Sequence, residues 1–151
     1  MKISIGADHG GVLYKSRIID KFKVIGIEFI DVGSYDIDKN DNYAEISLRV
    51  GEKVQSGEAE LGIMICRTGV GAVVMLNKMR GIRAGVLESV DSAYLGRAKN
   101  NLNVLSFGAD NISIKKAFKI IEKFLSTQFE GGRHIARLEV IKNYEEKHTN
   151  K

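Results

Sequence analysis

Apolar residues along this chain fall into two alternating kinds of segment. Short continuous runs rich in Ile and Val occur at residues 2–6, 27–32, 61–65, 83–86 and 103–107. Runs of this length without alternation predict strands buried on both faces of a parallel sheet. Between them the apolar residues recur at helical spacing. Tyr14, Ile18, Ile19 and Phe22 share one face, and Ile46, Val50 and Val54 share another. The clearest stripe is Ile114, Ala117, Phe118, Ile121 and Leu125, with Lys115, Lys116, Lys119 and Lys123 turned to water. A last helix is expected from residue 133 to about 147, with residues from about 146 to 151 as a polar tail. Strand–helix alternation followed by one extra C-terminal helix predicts a three-layer α/β/α, doubly wound, Rossmann-like domain around a five-stranded parallel sheet. Residues 1–151 show no repeat or linker and read as one domain. In such a domain ligands bind beyond the carboxyl ends of the strands.

Composition narrows the classes. With 44% hydrophobic residues, the 151-residue chain has enough apolar side chains for a core and is not of the disordered class. A single Cys has no intramolecular disulfide partner. No apolar run approaches the roughly 18 residues a membrane span needs, and the first residues lack the apolar region of a signal peptide. A cytoplasmic protein with a reduced thiol is therefore expected. A net charge of +4 favours anionic ligands slightly. No basic run with interleaved aromatics is present, so neither nucleic acid nor membrane is an expected partner. His9, His134 and His148 lack H-x-x-x-H spacing and Cys neighbours, which gives no metal site.

Attention then goes to the loops that follow the strands. After the first comes Gly6-Ala7-Asp8-His9-Gly10-Gly11, and after the third comes Cys66-Arg67-Thr68-Gly69-Val70-Gly71. The second places a thiol at a strand end before a glycine turn, where backbone N–H groups can hold an oxyanion or a phosphate and a helix N-terminus favours a thiolate. Equally, Cys66 reads as a small buried hydrophobe and the glycines as parts of a tight turn. Asp8 and His9 form an acid–base or hydroxyl-binding pair, or Asp8 simply caps the next helix. Arg133 and Arg137, at i and i+4 beside His134, suit a phosphate or make an ordinary solvated face. Gly131-Gly132 ahead of them lets the backbone come close to something. Neither loop carries a dinucleotide or ATP fingerprint.

Taken together, these motifs resemble the family that contains the type B ribose-5-phosphate isomerases and the galactose- and allose-6-phosphate isomerases. The resemblance rests on residues 2–11, Ser56-Gly57-Glu58-Ala59, Leu61-Gly62-Ile63, Cys66-x-Thr68-Gly69-Val70-Gly71, Asn77-Lys78, Gly81-Ile82-Arg83-Ala84, Asn103-Val104-Leu105 and Phe129-Glu130-Gly131-Gly132-Arg133-His134. It implies interconversion of aldose and ketose phosphates through an enediolate, without a metal or organic cofactor. Cys66 would be the base, with a pKa lowered by a helix N-terminus. Thr68 and the N–H groups around Gly69 and Gly71 would stabilise the intermediate, and Asp8 would contact hydroxyls or assist ring opening. His9, Arg133 and Arg137 would bind the phosphate. Tyr43 and Asn100 match other substrate-contacting positions. Such proteins are homodimers or dimers of dimers with shared sites, so the C-terminal arginines would serve the partner's pocket.

Four positions depart from the family's pattern. Its Cys-Gly-Thr-Gly reads Cys66-Arg67-Thr68-Gly69 here. Arg67 is either strained, if that glycine is left-handed, or a new cation beside the thiol that also borders the substrate. Lys99 stands where the family has its ring-opening histidine, Asp110 where it has an arginine, and Asn42-Tyr43-Ala44 where it has Asp-Tyr-Pro. Besides a ribose-5-phosphate isomerase, the sequence thus admits an isomerase of another aldose phosphate, or a non-catalytic sugar-phosphate-binding subunit.

Overall fold

A computed structural model describes residues 1–37 and 40–148. Its elements are β1 (Lys2–Ala7), α1 (Val12–Lys23), β2 (Glu28–Asp31), α2 (Tyr43–Gln55), β3 (Leu61–Cys66), α3 (Val70–Leu76), β4 (Ala84–Val86), α4 (Val90–Asn100), β5 (Val104–Gly108), α5 (Ile114–Ser126) and α6 (Arg133–His148). Every strand and helix anticipated from the apolar pattern is present, with strand ends moved by one or two residues. α6 continues through residues 146–148, so the start of the expected tail is helical. Residues 149–151 lie outside the described part.

All strand pairs are parallel, in the order β2-β1-β3-β5-β4. From β1 the chain moves one way to β2 and the other way to β3, which puts a topological switch point at the carboxyl ends of β1 and β3. Only β1, β3 and β5 are buried along nearly their whole length. The expectation that all five strands are buried on both faces fails for β2 and β4, which are the two edges and have one neighbour each.

Alternation along the central strands separates two cores. Ile3, Ile5, Ile63, Ile65, Leu105 and Phe107 face α1 and α5, while Met64, Cys66 and Val104 face α2 and α3. On that second face Gly6 and Gly62 let α2 press in, since a Cβ on either would lie under 3.0 Å from Val50. Ile120 and Phe124, absent from the stripe read along α5, belong to its buried face as well. Among the described residues no helix is long and apolar enough to cross a membrane.

Candidate active site

The thiol stands at the carboxyl end of β3, opposite Gly108 of β5, and its residue is only 5% exposed. Gly69 N–H donates to Cys66 Sγ at 2.9 Å. Gly69 adopts φ +83° to aim that N–H back at the sulfur, and the Ser106 hydroxyl fixes the same turn by donating to Gly69 O at 3.2 Å. Burial pushes the Cys66 thiol above its ordinary pKa, and the nearby Asp8 carboxylate adds to this, against the N–H groups of Gly69, Thr68 and Ala72. The expected lowering by a helix N-terminus is therefore corrected. α3 has seven residues, and desolvation of the thiolate outweighs the turn's dipoles. The Gly69 N–H is also committed to the sulfur. Thr68 is exposed beside it, its hydroxyl accepting from Val70 N–H at 3.4 Å. Tyr43, the first residue of α2, lies over α3: a Cβ on Gly71 would sit 2.7 Å from its ring.

Asp8 follows β1 and is 6% exposed. It does not cap α1. Its Oδ1 accepts from Gly10 N–H at 2.9 Å, and the N-cap is Gly11 without a side-chain bond. Burial raises the pKa of Asp8, opposed by the Gly10 N–H and His9. His9 is bound by a residue that the motifs do not single out. Asp41 Oδ1 accepts from His9 N–H at 3.1 Å and lies 3.0 Å from His9 Nδ1. The bond to Asp41 raises the pKa of His9. Asp41 itself is held below the ordinary carboxylate value, because bonds from His9 and from the Ser34 hydroxyl outweigh its burial.

Two of the departures from the family pattern turn out to be partners. Arg67 Nε donates to Asp110 Oδ2 at 2.9 Å, and Asp110 N–H donates to Arg67 O at 3.1 Å. Arg67 is not among the left-handed residues, so it is unstrained. Its stem crosses Gly10, where a Cβ would lie 2.7 Å from Arg67 Cγ. The guanidinium acts on His9, whose pKa it lowers. With side chains 67% and 49% exposed, the pair contributes about 0–1 kcal/mol. It ties the loops after β3 and β5 together at the mouth of the site.

Lys99, Asn100, Arg133 and Arg137 gather elsewhere. α4 runs back against the strands and ends at Asn100, just before Asn103 pairs with the amino end of β3. Glu130 N–H donates to Ala98 O at 2.9 Å, which fixes the start of α6 at the same end of the sheet. There Arg137 Nη1 lies 3.4 Å from Nδ1 of the buried His134. Burial, together with Arg133, Arg137 and Lys99, lowers the His134 pKa, leaving a neutral ring among cations. Gly131 and Gly132 have φ +67° and +57° and open space around Gly132. They make the left-handed turn into α6. Among the described residues no hydrogen bond or ion pair joins this basic cluster to the thiol loop. One chain thus carries two half-sites at opposite ends of its strands, the thiol at the carboxyl ends and the basic cluster at the amino ends.

The remaining motif residues are structural. Asn77 pairs both ways with Ala84, donating to its carbonyl at 2.9 Å and accepting from its N–H at 2.8 Å. Arg83 and Asn103 bind each other's loops. Among the described residues, no group of three or more His, Cys, Asp or Glu is placed to hold a metal ion.

Residues 3–141 match the ribose/galactose isomerase family. The chain is similar to ribose-5-phosphate isomerase B of Escherichia coli, with 39% identity over 146 residues covering 97% of each chain. It superposes on ribose-5-phosphate isomerase B of Clostridium thermocellum with TM-score 0.95 and 39% identity, covering 98% of this chain and 99% of the other. The Mycoplasma genitalium enzyme, solved with bound ribulose 5-phosphate, gives TM-score 0.92 and 35% identity, covering 97% of each.

Proposed function

The chain belongs to the ribose/galactose isomerase family, and we propose that it interconverts ribose 5-phosphate and ribulose 5-phosphate as a single cytoplasmic domain working in pairs. The observation that carries this reading is the thiol of Cys66, buried at the switch point and bonded by the Gly69 N–H, with the Asp8 carboxylate near enough to act on it. In this reading the Cys66 thiolate removes the proton on C2 of the open aldose. The C–H electrons form the C1–C2 double bond, and the carbonyl oxygen becomes the enediolate oxygen. A proton passes from the C2 oxygen to the C1 oxygen, and the thiol returns its proton to C1, leaving a ketone at C2. A thiol whose pKa is raised makes a scarcer but stronger base, which suits a weakly acidic C–H.

Thr68 and the backbone at Gly69 and Gly71 line the reacting carbons, with Tyr43 over them. Asp8, its pKa raised by burial, serves the sugar hydroxyls. His9 and Arg67 face the phosphate from the same chain. Lys99, Asn100, Arg133 and Arg137 reach it from a second copy, because the sheet separates them from Cys66 of their own chain. Apolar side chains left exposed on α6 (Ile135, Val140, Ile141 and Tyr144) and on α3 (Val70 and Val74) support a homodimer. Of the sixteen residues of α6 only His134 is buried in one chain.

Conversion of ribose 5-phosphate by purified protein, without added metal and with Cys66→Ala alongside, tests the reading. Turnover that falls by a factor of about 10²–10⁴ in the variant, with ligand affinity kept, is the expected result for loss of a positioned base. A folded wild-type protein that converts only six-carbon aldose phosphates, or binds sugar phosphates and converts none, overturns it.

A further inference from the structure

One carboxylate holds His9 at two points. Asp41 takes the backbone N–H and Nδ1 of His9 on the same oxygen. This fixes the ring's rotation and tautomer, and leaves Nε2 as the nitrogen for a ligand. The carboxylate is 10% exposed and the imidazole in front of it 35%. A carboxylate in that position is costly unless a cation or donors answer it; the two His9 groups answer Oδ1, while Oδ2 is buried without a hydrogen-bond partner among the described residues.

A buried cation braces the backbone beside His9. The side chain of Lys15 is 3% exposed, and its Nζ donates to Asp31 Oδ1 and to Ser34 O, both at 2.6 Å. Ser34 N–H donates to Ala7 O, one residue before Asp8. The buried cation thus braces Asp31 and Ser34, and through Ser34 the carboxyl end of β1 just ahead of Asp8 and His9. The charged groups around the imidazole are Asp8 and Asp41, which favour its protonated form, and Arg67, which opposes it. With Arg67 beside it, a protonated His9 completes a two-cation site for an anion at the carboxyl end of β1.

We propose that Asp41 is a positioning residue for phosphate recognition, holding His9 as an oriented imidazolium so that the thiol's own chain grips the phosphate of the sugar. This rests on the sugar-phosphate isomerase reading for its ligand. It adds that phosphate affinity, and not the proton transfer at carbon, depends on Asp41.

Asp41→Asn removes the charge and keeps the acceptor. Three readouts apply: the NMR titration of the His9 ring (assigned with His9→Gln), binding of inorganic phosphate, and KM and kcat for ribose 5-phosphate at pH 5.5 and 7.5. The His9 midpoint should move down. At pH 7.5 phosphate binding should weaken and KM rise, each about three- to tenfold, the scale of a change of up to one pKa unit in the binding cation. At pH 5.5, where both imidazoles are charged, KM should be no higher than wild type, because a negative charge has left the site. kcat should stay within about twofold, and in a His9→Gln background Asp41→Asn should change KM no further. Asp41→Ser should act in the same direction and serves if the Asn variant does not fold.

An unmoved His9 midpoint, a KM rise equal at both pH values, or a loss confined to kcat overturns the proposal. If the wild type fails to turn over ribose 5-phosphate while the midpoint and phosphate binding respond as stated, the isomerase reading falls and this one stands.

Discussion

Gly69→Ala separates two costs that the fold imposes on the thiol loop. Gly69 sits at φ +83°, where a residue with a Cβ is disfavoured by about 1–2 kcal/mol. Its new methyl would lie 3.0 Å from the Phe107 carbonyl carbon and 3.1 Å from Phe107 Cα. That backbone belongs to β5, bonded on both sides by β3 and β4, so it yields little, and forcing it apart costs about 1–3 kcal/mol more. The sum is about 2–5 kcal/mol. At about 2–4 °C per kcal/mol for a chain of this length, Tm should fall by about 4–20 °C. Gly57 is the control. It has φ +78° and nothing within 4 Å of an added Cβ, so Gly57→Ala carries only the backbone cost, about 2–8 °C. Thermal unfolding of both variants followed by circular dichroism, at one protein concentration, makes the comparison. Gly69→Ala melting at or above Gly57→Ala would refute the claim that β5 closes the space beneath the turn. Because the Gly69 N–H bonds the sulfur at 2.9 Å, the same variant should lose turnover out of proportion to its stability.

Two further outcomes follow from the site. Burial raises the Cys66 thiol, so the thiolate grows with pH beyond the ordinary thiol range, and kcat should climb from pH 7 to 9; a flat kcat in that interval removes Cys66 as the base. Cys66→Ala and Arg137→Ala damage opposite half-sites. If two chains share each site, mixing the inactive Cys66→Ala chain with the impaired Arg137→Ala chain and letting subunits exchange should restore activity, up to about a quarter of wild type per total site with random pairing; no recovery after verified exchange would place both residues in one chain's site.

How far the sequence reached can be judged from particular elements. The unbroken apolar run of β3 and the stripe of α5 are local signals, since burial repeats every second residue in strands and every third or fourth in helices. They announced an α/β sheet, and the rule about strand ends led to Asp8 and Cys66 before any coordinates. The strand order was not legible. β5 enters between β3 and β4 because of how the crossovers pack, and that insertion brings Asp110 beside Arg67, 43 residues away. Read along the chain, these were two unrelated departures from a family pattern; in space they are one ion pair.

Asp41 was missed for the same reason. It lies in a polar stretch, Asn40-Asp41-Asn42, that reads as a loop, and nothing local shows that its carboxylate will meet His9, 32 residues away. The thiol's pKa was misjudged because a turn and a helix start are visible in sequence, whereas the depth of burial that outweighs them is not. By itself the sequence determined which segments are strands and helices, and which residue types stand at the strand ends, since both follow from short-range periodicity. Tertiary structure alone decided the pairing of His9 with Asp41, the direction in which each group's pKa moves, and the placing of Cys66 and Arg137 at opposite ends of the strands. Those depend on where each crossover helix returns the chain, a long-range outcome of packing two layers against one twisted sheet.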